Sequence, residues 1–106
     1  MYYIYILKCE GNRLYTGITT DIKRRYEEHS SQNGKGAKFT RSHKAENIEA
    51  VWSAENRSLA SRLEWKIKKL RHLQKIDLIR DNSIFSSLFG KEAENIYKRE
   101  SLSDFI

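Results

Sequence analysis

Aromatic and β-branched residues alternate with short polar breaks at the start of the chain, which predicts a hairpin. Tyr2 to Cys9 (YYIYILKC) reads as one strand and Leu14 to Thr19 (LYTGIT) as a second. The turn formers Glu10-Gly11-Asn12-Arg13 lie between them, too close together for any connection but a hairpin. Alternation puts Tyr3, Tyr5 and Leu7 on one face of the first strand. The face that carries Tyr15 depends on a register the sequence leaves open. Gly17, near the end of the second strand, predicts a backbone that something approaches closely.

The period then changes to helical. Asp21 is a good cap for a helix over about 22–31 with a thin stripe of Ile22 and Tyr26. Arg25 and His29 form a second i, i+4 pair beside that stripe. Residues 31–44 (SQNGKGAKFTRSHK) have no apolar period and predict a loop with at most one short turn. Lys38, Thr40 and Arg41 in it have the chemistry to touch phosphates; a merely mobile basic loop is the alternative. Residues 47–53 predict a third strand, with Ile48, Ala50 and Trp52 on one face and Val51 on the other. Asn56 caps a helix expected over 57–72, its core stripe formed by Leu59, Leu63, Ile67 and Leu70. A short helix over 73–80 is expected to turn Leu73, Ile76 and Ile79 toward the sheet. Ile84, Phe85, Leu88 and Phe89 return at helical spacing before Gly90, and either cover the body or dock a partner. Residues 91–106 are polar and expected to fray. The fold class is therefore α+β: a three-stranded, largely antiparallel sheet (2–9, 13–19, 47–53) flanked by helices.

The order of these elements, together with Tyr3-Ile4-Tyr5, Tyr15-Thr16-Gly17, the Arg25 and His29 of KRRYEEH, and Glu64 in SLASRLEWKIKKL, resembles the GIY-YIG nuclease domain. The resemblance spans about residues 2 to 80 and is nearest to small stand-alone bacterial members, whose middle segment is similar to GKGAKFTR. It divides the chain into a nuclease-like domain over 1–80 and a C-terminal helical extension or tail over 81–106. Tyr3 stands where the first triplet has Gly, Thr16 where Ile or Val is usual, and Ile18 where some members carry a lysine. Asn82 is a possible counterpart of an asparagine that many members keep.

Charge bears on the partner. Residues 1–80 hold 17 Lys/Arg against 9 Asp/Glu, while 81–106 hold 3 against 5. A basic body fits a polyanion, most simply nucleic acid, although many basic proteins bind none. One cysteine, Cys9, permits neither an internal disulfide nor a cysteine-based zinc site. It reads as a small buried hydrophobe. With no segment approaching 18 apolar residues and no signal-peptide pattern, a cytoplasmic protein away from membranes is expected.

By the residues alone, Tyr5 and Tyr15 are ordinary strand aromatics, and Glu64 beside its apolar stripe is solvated, paired with a cation or bound to metal. The resemblance implies more: a metal-dependent endonuclease hydrolysing nucleic-acid phosphodiesters, with DNA favoured over RNA as partner and the choice between them left open by the sequence. In that reading Glu64 holds Mg²⁺ or Mn²⁺ and Arg25 clamps the phosphate. Tyr15 is the general base, supported by Tyr5 and His29. Lys38, Thr40, Arg41 and Lys68 touch nucleic acid. A tyrosine with an ordinary pKa of about 10 needs a nearby cation to serve as base, and Ile18 cannot supply one. Two other functions stay open: a non-catalytic nucleic-acid-binding module of the same fold, and an interaction protein that docks a partner through 84–89.

Overall fold

A computed structural model describes residues 1–31 and 35–105. Residues 32–34 of the expected loop lie outside the described residues. The elements run β1 (Tyr2–Cys9), β2 (Arg13–Thr19), α1 (Ile22–Ser31), α2 (Lys38–Ser42), β3 (Ala45–Ala54), α3 (Arg57–Lys68), α4 (His72–Arg80), α5 (Phe85–Phe89), α6 (Ala93–Ile96) and β4 (Lys98–Arg99). Short 3₁₀ turns precede α5 and follow β4.

Gly11 and Asn12, both at positive φ, close the β1–β2 hairpin through a three-residue loop, so Cys9 faces Arg13. That turn fixes the missing register: Leu7 lies opposite Tyr15, and Tyr5 opposite Gly17. Tyr15 thus shares the face of Tyr3, Tyr5 and Leu7. The caps fall where the sequence puts them. Asp21 Oδ1 accepts from Arg24 N–H (3.1 Å), and Asn56 Oδ1 from Leu59 N–H (2.9 Å).

The sheet has four strands, in the order β2-β1-β3-β4, with every neighbouring pair antiparallel. The expectation of three strands and a frayed tail is corrected by β4, which pairs with the end of β3. Tyr97, just before β4, is buried and donates its hydroxyl to the Leu59 carbonyl at 2.6 Å. The Arg99 guanidinium lies 5.0 Å from the Trp52 ring centre and donates to the carbonyls of Leu78 and Ile79. Tyr97 and Arg99 both engage partners distant in sequence, which no local period reveals.

Three other expectations change. Glu49 is an extra residue in β3 where the pairing passes from Ile6–Ala50 to Leu7–Ile48. A bulge reverses the parity of the strand beyond it, so Ile48 shares the face of Val51 and not that of Trp52. The loop over 31–44 holds the one short turn expected of it, α2, while β3 begins at Ala45 rather than at residue 47. The helix expected to run to 72 stops at Lys68, where Leu70 N–H bonds the Ile67 carbonyl and Arg71 starts a new cap. That restart rotates α4: Leu73 is exposed, and Leu78 is the fully buried side chain.

The two sheet faces carry two cores. Ile4, Ile6, Ala50 and Trp52 pack under Leu63, Ile67, Leu78 and Phe85. Phe85 is 2% exposed and Ile84, Leu88 and Phe89 are partly buried against the same core, so the 84–89 segment covers the body. On the other face Tyr5, Leu7, Cys9 and Val51 pack with Ile22 of α1. Cys9 is fully buried, and burial first, then Glu46 and Glu10, pushes its thiol up to about 11. No helix among the described residues is long and apolar enough to cross a membrane.

Candidate active site

The second face carries the chemistry. His29, one helical turn past Arg25 on α1, is fully buried between β1 and α2. Its Nδ1 is 2.6 Å from Thr40 Oγ1, and its Nε2 is 2.9 Å from the Tyr5 hydroxyl. The Thr40 hydroxyl donates to the Ala37 carbonyl at 3.0 Å, so it accepts from His29 Nδ1–H. Nε2 is left to accept the Tyr5 proton. Ala37 N–H also lies 3.5 Å from Nδ1, too long to hold the opposite tautomer against that short contact.

Burial, with the adjacent Arg25 cation, lowers the imidazole to about 4, opposed by Glu28; His29 is neutral at neutral pH. Burial and the neighbouring Tyr15 raise the Tyr5 phenol well above its ordinary value, although the charge and a hydrogen bond of Arg25 pull the other way. Tyr5 is therefore a protonated phenol that donates to a neutral imidazole.

Arg25 is half-buried. Its Nη1 donates to Glu28 Oε1 (2.8 Å) and to the Lys35 carbonyl (2.9 Å). Tyr15 stacks on Phe39 with ring centres 5.8 Å apart, and its ring lies 5.2 Å from that of His29. Its hydroxyl makes no hydrogen bond to protein among the described residues. Burial raises its pKa, with Arg25 opposing and Glu64 adding to the rise.

From α3, Lys68 Nζ lies 5.9 Å from the Tyr15 ring centre and 3.3 Å from Glu64 Oε2. Glu64 is only partly exposed, and its charge is felt by both tyrosines. Tyr5, Tyr15, Arg25, His29 and Glu64 thus converge, and the cation that acts on both phenols is Arg25. Ile18 pairs with Ile4 and packs on the opposite face.

Gly17 makes the convergence possible. A Cβ there would overlap the Tyr5 hydroxyl and lie 2.6 Å from the ring carbon that bears it. Gly17→Ala is expected to cost about 1–3 kcal/mol through overpacking and to displace Tyr5 from His29. A lowered unfolding midpoint, read with a shifted His29 imidazole resonance, checks it.

Other residues fall elsewhere. Lys38 and Arg41 are exposed on α2. Thr40, expected at phosphates, is 1% exposed and instead orients His29. The signal for that role is the GKGAKFT spacing: a side chain on Gly36 would meet Thr40 Oγ1 at 2.7 Å and the Glu28 carbonyl at 3.0 Å. Thr16 is buried with its hydroxyl unpartnered among the described residues, filling a valine-shaped place. Tyr3 packs edge-on against Phe105 (5.5 Å). Asn82 accepts from Trp52 Nε1 at 2.9 Å, away from the tyrosines.

Residues 1–77 match the family model of the GIY-YIG catalytic domain. The chain belongs to the GIY-YIG family. It is 43% identical over 97 residues to UPF0213 protein FN1575 of Fusobacterium nucleatum, covering 92% of this chain and 91% of that one. To UPF0213 protein YhbQ of Escherichia coli it is 40% identical over 89 residues, covering 84% and 87%. The solution structure of the UPF0213 protein BH0048 from Bacillus halodurans is 38% identical, covers 90% of this chain and 93% of its own, and aligns with a TM-score of 0.47. Among the described residues of this GIY-YIG domain, no group of three or more His, Cys, Asp or Glu side chains gathers as a metal site.

Proposed function

We propose that this face binds the backbone of a nucleic acid and that Tyr5, His29 and Arg25 hydrolyse one of its phosphodiester bonds. The observation that carries the reading is the hydrogen-bonded chain Tyr5–His29–Thr40, with a guanidinium on one side of Tyr5 and a carboxylate near it. A water attacking phosphorus passes a proton to the Tyr5 oxygen as the Tyr5 proton moves to His29 Nε2. The phosphorus–oxygen bond opposite the water breaks, and the departing oxygen takes a proton from solvent. Arg25 compensates the negative charge that builds on the phosphate. That same charge raises the basicity of His29 as the transfer proceeds. Tyr15, with its hydroxyl unbonded among the described residues, positions the phosphate from the other side.

Glu64 is the side chain that would hold a metal. A lone carboxylate completed by water and phosphate oxygens suits Mg²⁺ or Mn²⁺. When bound, such an ion polarises the phosphate and stabilises the leaving oxygen.

A second reading, binding without hydrolysis, is favoured by one specific feature. Lys68 already engages the lone carboxylate Glu64, and Glu28 already engages Arg25. The assay is cleavage of labelled single-stranded and duplex DNA and RNA in Mg²⁺, Mn²⁺ or EDTA. Metal-dependent cutting is expected, reduced at least about tenfold in Glu64→Ala with binding retained. Binding without cutting in every metal would leave the second reading standing.

A further inference from the structure

Next to the site, where β2 ends and α1 and α3 begin, lies a cleft of about 330 Å³ lined by Tyr2, Thr20, Arg24, Arg25 and Arg57, with Glu28 at its side. Its charge is unbalanced. Glu28 is bonded to Arg25, while Arg24 and Arg57 have no ion pair among the described residues. Glu28 is itself held below the usual carboxylate range, by its hydrogen bond to Arg25 first and then by the charges of Arg25 and Arg24. Three arginines from two helices, Arg24 and Arg57 exposed and Arg25 half-buried, therefore line a cleft that holds one carboxylate. Gathering like charges is unfavourable unless an anion joins them, and a guanidinium fork matches phosphate oxygens two at a time. Arg25 belongs both to this cleft and to the Tyr5 centre, so the two are continuous.

We propose that the cleft holds the internal backbone phosphate adjacent to the one at Tyr5, with Arg57 and Arg24 as its ligands. This rests on the reading of the Tyr5 face as a nucleic-acid site. It makes the substrate a strand that presents consecutive phosphates rather than an isolated phosphodiester. Arg57, contributed by α3 from outside the KRRYEEH segment, becomes a binding residue.

The test is binding of a fluorescent oligonucleotide in EDTA over a range of salt, for the full chain and for Arg57→Ala and Arg57→Lys. The oligonucleotide carries either a 5′-phosphate or a 5′-hydroxyl. Arg57→Ala is expected to weaken binding of both about tenfold and to flatten the salt slope by about 0.7–0.9, one phosphate contact. Arg57→Lys should restore the slope and only part of the affinity. A series with single neutral methylphosphonate linkages should contain one position that weakens the wild type and adds nothing in Arg57→Ala. An unchanged slope and affinity in Arg57→Ala, with wild-type binding intact, would overturn the cleft while leaving the wider reading in place. Sensitivity confined to the 5′-phosphorylated strand would overturn the internal assignment in favour of an end phosphate. Absence of any wild-type binding would overturn both the cleft and the face beside it.

Discussion

Replacing Tyr5 by phenylalanine is expected to slow cleavage by roughly 10²- to 10⁴-fold, the range for loss of a positioned acid–base group. The substitution removes one oxygen and keeps the ring. The ring is what packs against Leu7, Ile22 and Val51, so the core face survives. What is lost is the only group bonded to His29 Nε2 among the described residues, and the hydroxyl that Arg25 approaches. Nucleic-acid affinity should change little, because Arg24, Arg25, Arg57 and Lys68 remain. A kcat loss with unaltered binding supports the relay. Full turnover by Tyr5→Phe would move the base elsewhere, with Tyr15 the first alternative.

Removing residues 81–106 is expected to abolish the cooperative unfolding transition. The segment lies beyond the family match, which ends at residue 77, yet it completes the core. Phe85 is buried beneath Trp52 with ring centres 6.0 Å apart, and Tyr97 closes the same face. Loss of a buried phenylalanine alone costs about 3–5 kcal/mol, against a total stability of about 5–15 kcal/mol for an ordinary domain. The deletion also unpairs the edge of β3 and uncovers Trp52, which is fully buried. A truncated chain that still melts cooperatively within a few degrees of the full one would contradict this.

Much of the site was legible because its geometry is local. The i, i+4 spacing of Arg25 and His29 brings both toward one face, and alternation along β1 sets Tyr5 among the residues that face it. The helical position of Glu64 beside its apolar stripe was equally readable. What escaped depends on distant pairing. The register that brings Tyr15 to Tyr5 is fixed by two positive-φ residues in the turn. The bulge at Glu49 follows from pairing of β3 with β1, and β4 is two residues whose only signal is the partner strand. Thr40 reads as a surface hydroxyl because the glycine spacing of GKGAKFTR acquires its meaning only in the fold, where Gly36 lets Thr40 sink against His29. The base assignment turned on the same point. From the sequence Tyr15 matches the role better, whereas the proposed relay follows the hydrogen bond that joins Tyr5 to His29.

The pH dependence of kcat/KM for oligonucleotide cleavage tests the relay most directly. His29 must be neutral to accept a proton, and its pKa is lowered to about 4, so activity falls only as the pH drops toward 4. Tyr5 must carry its proton, and its pKa is raised, so no loss sets in on the alkaline side near neutrality. The account predicts a plateau from about pH 6 to 9. A rate that instead climbs about tenfold per pH unit toward 10, as an ionised tyrosine base requires, would contradict it.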